Sequence, residues 1–233
     1  MIIILFIIIG ILNLIEASTP LARLSGNSIG SLSSGLQLQS SMSIISRALN
    51  LFFLPILGYI SDINGFSELT QFNFVFYVVI ALFILLSILN LKNFIFSIYT
   101  ALCKSIKIEG SLFFFIKYYR KINLQRIKKN NLLNFKKLNS ITVIAFIPLY
   151  ISWPVVFLVI KSYPDYRGLI LGSTSVINGL NSLLLVLIID PFLLKISEKK
   201  NISHNLFIEQ INQRIKAGII SCFLLIIISF LIT

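Results

Sequence analysis

Within residues 12–62, Glu16, Arg23, Gln39, Arg47 and Asn50 interrupt sequence that is otherwise apolar or small. Gln39, Ser43, Arg47 and Asn50 are spaced by four, four and three residues, so on a helix they share one face. An arginine at the centre of a membrane span costs on the order of 2.5–3.5 kcal/mol on insertion scales and has to be paired or wetted. Glu16 and Arg23 are seven residues apart on the sequence, roughly 10 Å along a helix axis. That is too far for direct contact, so each needs another partner, and Glu16 is the expected partner of Arg47. Further on, Asn178 and Asn181 stand among Gly172, Ser175, Gly179 and Ser182, with Ser175, Asn178 and Ser182 on one helical face.

These residue types offer recognition of an anion. The planar guanidinium fork presents five donors that match phosphate or carboxylate oxygens. Arg23 and Arg47 would hold the anion, while Glu16, Gln39, Asn50, Asn178 and Asn181 complete a polar cavity shared by the first, second and fifth helices. Plainer readings stand beside this one. Glu16 and Arg47 can be a buried pair that only fixes helix registry, and the asparagines can be interhelical hydrogen bonds. Asp62 and Asp190, beside turn residues at span ends, read as capping or solvated groups.

Catalytic patterns are missing: there is no GxSxG, HExxH, P-loop or suitably placed GxGxxG, and no close carboxylate cluster to hold Mg²⁺. His204 is the only histidine and sits in a polar stretch, and Cys103 and Cys222 are far apart. No metal, cofactor or disulfide framework is therefore expected, and transport is favoured over an enzymatic role.

The elements that must position these groups follow from composition. The chain of 233 residues is 57% hydrophobic and 12% charged, with a mean hydropathy of +0.93, against roughly 45–50% apolar and 25% charged residues in soluble domains. An all-α, polytopic membrane bundle is expected as a single transmembrane domain of about six helices, at 2–24, 35–60, 72–91, 140–160, 168–194 and 216–233. The first apolar run, 2–15, is too short to span alone. It is either a signal cleaved near Ser18 or a helix that continues to Leu24 with a kink at Pro20, and the lack of Lys or Arg before it favours the helix. Pro55, Gly58, Pro148 and Pro154 predict bends, and Ser61, Asp62, Asn64 and Gly65 a turn.

Charge orients this scheme. The formal net charge is +12, from 20 Lys and Arg against 8 Asp and Glu. With both termini outside, the inside connections 16–35, 92–139 and 195–216 carry 17 of the 20 basic residues. The basic loop 92–139, with aromatics at 113–115, 118 and 119, reads as an amphipathic segment on anionic membrane lipids rather than as a nucleic-acid surface. Gly35-Leu36-x-Leu38-x-Ser40-Ser41 also aligns with Gly168-Leu169-x-Leu171-x-Ser173-Thr174. That match is compatible with two inverted three-helix repeats, an arrangement that places transporter sites near mid-membrane.

The ordered motifs Glu16-Ala17, Ala22-Arg23-Leu24-x-Gly26 with Gly30, Ser46-Arg47-x-x-Asn50, Pro55-x-x-Gly58 and Asp62, then Gly168, Gly172, Asn178-Gly179 and Asp190-Pro191, resemble the Amj family of lipid II flippases, the alternate to MurJ. The resemblance covers the first 62 residues and about 165–195; the basic loop and last helix are similar only in character. It implies a protein of the bacterial cytoplasmic membrane that carries lipid II, or a related polyprenyl pyrophosphate, to the outer leaflet. The chain departs from the family pattern at Ser31, where similar proteins carry a basic residue. A homodimer is one option for its assembly. The competing function classes are a transporter of another amphipathic anion and a non-transporting protein of envelope assembly.

Overall fold

The computed structural model of the chain describes residues 2–64, 71–122, 136–197 and 203–232; the side chains of Asn50, Asp62, Ser175 and His204 are outside the described set. Within these residues the chain is all-helical: α1 (Ile2–Ser18), α2 (Pro20–Ser28), α3 (Leu32–Asn64), α4 (Gln71–Glu109), α5 (Phe115–Tyr118), α6 (Lys136–Ser162), a 3-10 turn (Pro164–Tyr166), α7 (Arg167–Leu184), a π-helical segment (Leu185–Ile189), α8 (Asp190–Ser197) and α9 (Ser203–Ile232). Among the described residues four helices are long and apolar enough to cross a membrane, or five if α1 and α2 form one bent span. A multi-pass helical membrane protein fits these lengths.

Three expected boundaries move. The third span, expected at 72–91, lies in α4, which runs from Gln71 on to Glu109. Residues 92–109, assigned above to the basic loop, continue α4, because Phe96, Tyr99, Thr100 and Cys103 recur on one buried face, with Lys92 and Lys107 at the two ends of that stripe and Lys104 at its edge. The expected amphipathic surface segment shrinks among the described residues to the four-residue α5, and 123–135 lie outside them. The last span begins at Leu206 rather than 216. The polar residues that suggested a loop sort by face, with Gln210 and Arg214 buried and Asn212 and Lys216 exposed. At the far end of α3 the expected turn at 61–64 is helix through Asn64. The fourth and fifth spans, Leu138–Ile160 and Arg167–Lys195, lie close to the expected ranges, and Pro148 and Pro154 are accommodated within α6.

The anticipated kink at Pro20 is present: α1 and α2 meet at 47°. Proline lacks the N–H that would bond the carbonyl four residues earlier and its ring crowds that carbonyl, so a helix bends there. The chain then reverses over Ile29 to Ser31 into α3, with Gly30 at φ +66°. A Cβ on Gly26 would lie 2.5 Å from the Cα of Gly35, so this hairpin closes only because residue 26 is glycine, and a Cβ on Gly35 would be tight at 3.0–3.2 Å from the backbone of α2. Gly168, the counterpart of Gly35 in the repeat alignment, has open space around it, so the two glycines do different work.

Helix α6 packs along α9 and α7, and α4 packs against α1, α2 and α9. Phe96, Phe146, Phe207, Leu85 and Ile88 fill one core cluster, and Ile9, Trp153, Val156, Ile160 and Leu225 a second. Helices α3 and α7 do not pack extensively on each other, and the polar cavity lies between them.

Candidate functional site

The cavity has a volume of about 350 Å³ and is lined by Glu16 and Thr19 at the end of α1, Arg23 on α2, Gln39, Ser43, Ser46 and Arg47 on α3, Asn178, Asn181 and Ser182 on α7, Asp190 on α8 and Arg214 on α9. Six of the seven side chains singled out in the sequence therefore face one space: Glu16, Arg23, Gln39, Arg47, Asn178 and Asn181. The seventh, Asn50, has its side chain outside the described set.

Two proline breaks shape the floor. Pro20 puts Arg23 on the first turn of α2, where its buried guanidinium, 3% exposed as a residue, points across to the fifth span. There the π-helical turn Leu185–Ile189 precedes Asp190-Pro191. Pro191 cannot donate to the preceding turn, and the wider π-turn accommodates that loss while directing Asp190 inward. Arg23 Nη2 donates to Asp190 Oδ1 at 2.7 Å, Arg23 Nε donates to Gln39 Oε1, and Gln39 Nε2 donates to Asp190 Oδ1 at 3.4 Å. Asp190 is thus an ion-pair partner rather than the capping or solvated group expected from its position beside Pro191.

The pairing expected between Glu16 and Arg47 does not form. Glu16 Oε1 instead accepts from Ser46 Oγ at 2.6 Å, one residue before Arg47, whose side chain points outward into the cavity. Among the described residues Arg47 makes no ion pair, and its side chain is exposed. Ser46 faces α1 and Arg47 does not, since adjacent helical residues project about 100° apart.

Arg214 is the cavity's third guanidinium and went unrecognised in the sequence. It is 2% exposed. Its Nη1 donates to the carbonyl oxygen of Glu16 at 2.5 Å and to Thr19 Oγ1, and its guanidinium lies 4.3 Å from the centroid of the Phe146 ring. The carbonyl of Glu16 is the one that Pro20 leaves without a helical donor, and Thr19 Oγ1 also donates to it at 3.1 Å. The sequence signal was a four-residue spacing of Leu206, Gln210 and Arg214, continued by Ala217 and Ser221, which marks one face of a longer helix.

On the opposite wall, Asn178 Oδ1 accepts from Ser152 Oγ at 3.1 Å, the interhelical bond foreseen as the plainer reading. Asn181 differs. It is 4% exposed and its Oδ1 has no partner among the described residues. An unpaired buried acceptor costs about 1–3 kcal/mol unless something donates to it. The cavity thus carries three guanidiniums against two carboxylates, one of them committed to Arg23, together with an acceptor awaiting a donor. Such a wall suits a ligand that is anionic at one point and bears N–H or O–H groups beside it. Among the described residues no group of His, Cys, Asp and Glu has the geometry to hold a metal ion.

Comparisons of the chain with protein-family models, with curated proteins and with solved structures returned no match.

Proposed function

We propose that the protein moves an anionic, amphipathic lipid headgroup across the membrane, and that the headgroup is the polyprenyl pyrophosphate end of lipid II or a close relative, carried outward across a bacterial cytoplasmic membrane. The observation that carries this reading is Arg47, a guanidinium with no ion pair among the described residues, on the wall of a polar cavity where Arg23 is paired with Asp190 and Arg214 is hydrogen-bonded through Nη1. A cation left free inside a bundle has to be offset by water or by an anion.

In this mechanism Arg47 meets the pyrophosphate first. Arg23 then exchanges Asp190 for a phosphate oxygen, with Gln39 following the guanidinium it already bonds. Asn181 accepts from the sugar, and Asn178 and Ser182 extend the polar track along α7. The cavity is smaller than a disaccharide-peptide headgroup, so transport requires α3 and α7 to part. Their sparse mutual packing among the described residues permits this, and the apolar tail stays in hydrocarbon while the headgroup crosses. The chemistry is binding and release, without covalent catalysis.

The test is outward exposure of lipid II in cells depleted of other flippases and supplied with this chain. Exposure should return with the natural sequence and fail with Arg47→Ala at equal protein levels. Full exposure with Arg47→Ala, or none with the natural sequence, overturns the proposal.

A further inference from the structure

A second cavity, of about 660 Å³, opens where the end of α4, the segment through α5 and the α2–α3 turn meet. Four cations line it: Lys104 and Lys107 on α4, Lys117 on α5 and Arg120 just beyond. Among the described residues no carboxylate does. Glu109, the nearest acid, is held outside the lining by Lys117 Nζ at 3.0 Å and by Tyr118 Oη at 2.5 Å. The floor is apolar, made by the half-buried Ile29 and Ile122 above the fully buried Phe96. Lys107 Nζ donates to the carbonyl of Ile29 at 3.0 Å and so ties the α2–α3 turn to this wall. Lys104 and Arg120 form no ion pair among the described residues.

Beside the cavity stands a row of exposed apolar side chains, with Phe113 88%, Ile116 75%, Ile108 62% and Phe114 55% exposed. Water does not favour such a row, whereas the boundary between headgroups and acyl chains does. The row therefore sets the depth of the cavity at the membrane surface. The bonds to Glu109 raise the pKa of Lys117 above its ordinary value, so that side chain stays cationic at neutral pH.

We infer that this cavity is a binding site for an anionic two-chain glycerophospholipid of the adjoining leaflet, its phosphate among Lys104, Lys107 and Arg120 and its glycerol and upper acyl chains over the half-buried Ile29 and Ile122. A general surface attraction of basic loops needs neither a concave basic wall nor an apolar floor, and here both belong to one open cavity. The site is separate from the cavity around Arg47, and the inference does not depend on the transport reading.

The experiment uses the full chain in nanodiscs of phosphatidylcholine containing a minor fraction of phosphatidylglycerol, with retained lipid read by native mass spectrometry after release into detergent. Phosphatidylglycerol should be retained over phosphatidylcholine. Lys104→Gln with Arg120→Gln should weaken its retention about fivefold per charge, the factor equal to ~1 kcal/mol for each basic residue at an anionic surface. Lys195→Gln with Lys216→Gln, exposed positions outside the cavity, should leave it unchanged. Thermal unfolding of both variants is measured alongside, and if the first pair unfolds, Lys104→Gln alone is read in its place. Equal retention by the cavity variant, equal loss in the control variant, or displacement of the lipid by millimolar inorganic phosphate would each overturn the inference, the last by showing a site for free anions.

Discussion

Arg214 Nη1 bonds the carbonyl oxygen of Glu16 at 2.5 Å, and Glu16 is the residue whose carbonyl loses its helical donor to Pro20. A buried cation on the last helix thus stands in for a backbone amide missing from the first. Together with Thr19 Oγ1, which donates to the same carbonyl at 3.1 Å, that substitution supports the bend between α1 and α2, because a carbonyl short of donors in an apolar bundle is costly.

Removing the substitute should therefore destabilise the bend. Arg214→Met is expected to lower stability by about 1.5–3 kcal/mol, the value of a hydrogen bond from a charged donor. The same substitution made on a Pro20→Ala background, where the alanine again supplies the missing amide, should cost about 1 kcal/mol less. Thermal unfolding of the four proteins in one detergent measures this coupling. An equal cost in both backgrounds would show that Arg214 acts through the Phe146 ring or the cavity field alone.

The ion pair on the cavity floor makes a different prediction. Asp190→Asn leaves the guanidinium of Arg23 buried without its counter-ion, which should cost about 3 kcal/mol, the low end for a broken buried pair, because the Asp190 side chain is 25% exposed. Replacing both, as Arg23→Met with Asp190→Leu, should recover most of that stability while abolishing transport. Unfolding midpoints and lipid II exposure separate the two effects. A double variant as unstable as Asp190→Asn would mean that the pair is needed for folding itself.

The glycines of the α2–α3 hairpin divide by environment. Gly26→Ala drives a methyl group into the backbone of Gly35 and Ser31, which cannot yield as a side chain can, so the hairpin should fail to close and the protein should not accumulate. Gly30→Ala, in open space at φ +66°, should cost only about 1–2 kcal/mol for the left-handed backbone. Gly172→Ala, also in open space but helical, should be neutral or slightly stabilising. Membrane accumulation of the three variants, followed by thermal unfolding of those that accumulate, checks the order.

Much of the polar cavity was legible in the sequence because polar residues in an apolar chain are conspicuous and helical spacing groups them. Gln39, Ser43 and Arg47 follow one face, and all three line the cavity. The partners were harder to read. Asp190 looks like a capping residue because it stands beside Pro191, and only the π-turn before it, which has no sequence marker, turns it toward Arg23. Arg214 sits among five other polar residues between 209 and 216, a composition that reads as loop. Its burial becomes visible only when those residues are sorted by helical face, half of them toward Asn139, Thr142 and Glu16. The same effect shifted α4, whose lysines suggested a loop although they flank a continuous buried stripe.

Arg47 separates a role in binding from a role in folding. Its side chain is exposed to the cavity and makes no ion pair among the described residues, so Arg47→Ala should change stability by less than about 0.5 kcal/mol. Transport should nonetheless fall by about ten- to a hundredfold, the equivalent of about 1.5–3 kcal/mol for a lost charge-assisted contact to phosphate. Arg47→Lys keeps the charge but replaces a planar fork with a compact ammonium, which contacts one oxygen where the fork contacts two. Its transport rate should fall between those of the natural protein and Arg47→Ala. Arg47→Gln keeps length and donors without the charge and should behave like alanine. Rates of lipid II exposure measured at matched protein levels give the order. A glutamine variant that worked as well as lysine would show that the residue contributes hydrogen bonds to sugars and that the anion is held elsewhere, by Arg23 after its release from Asp190.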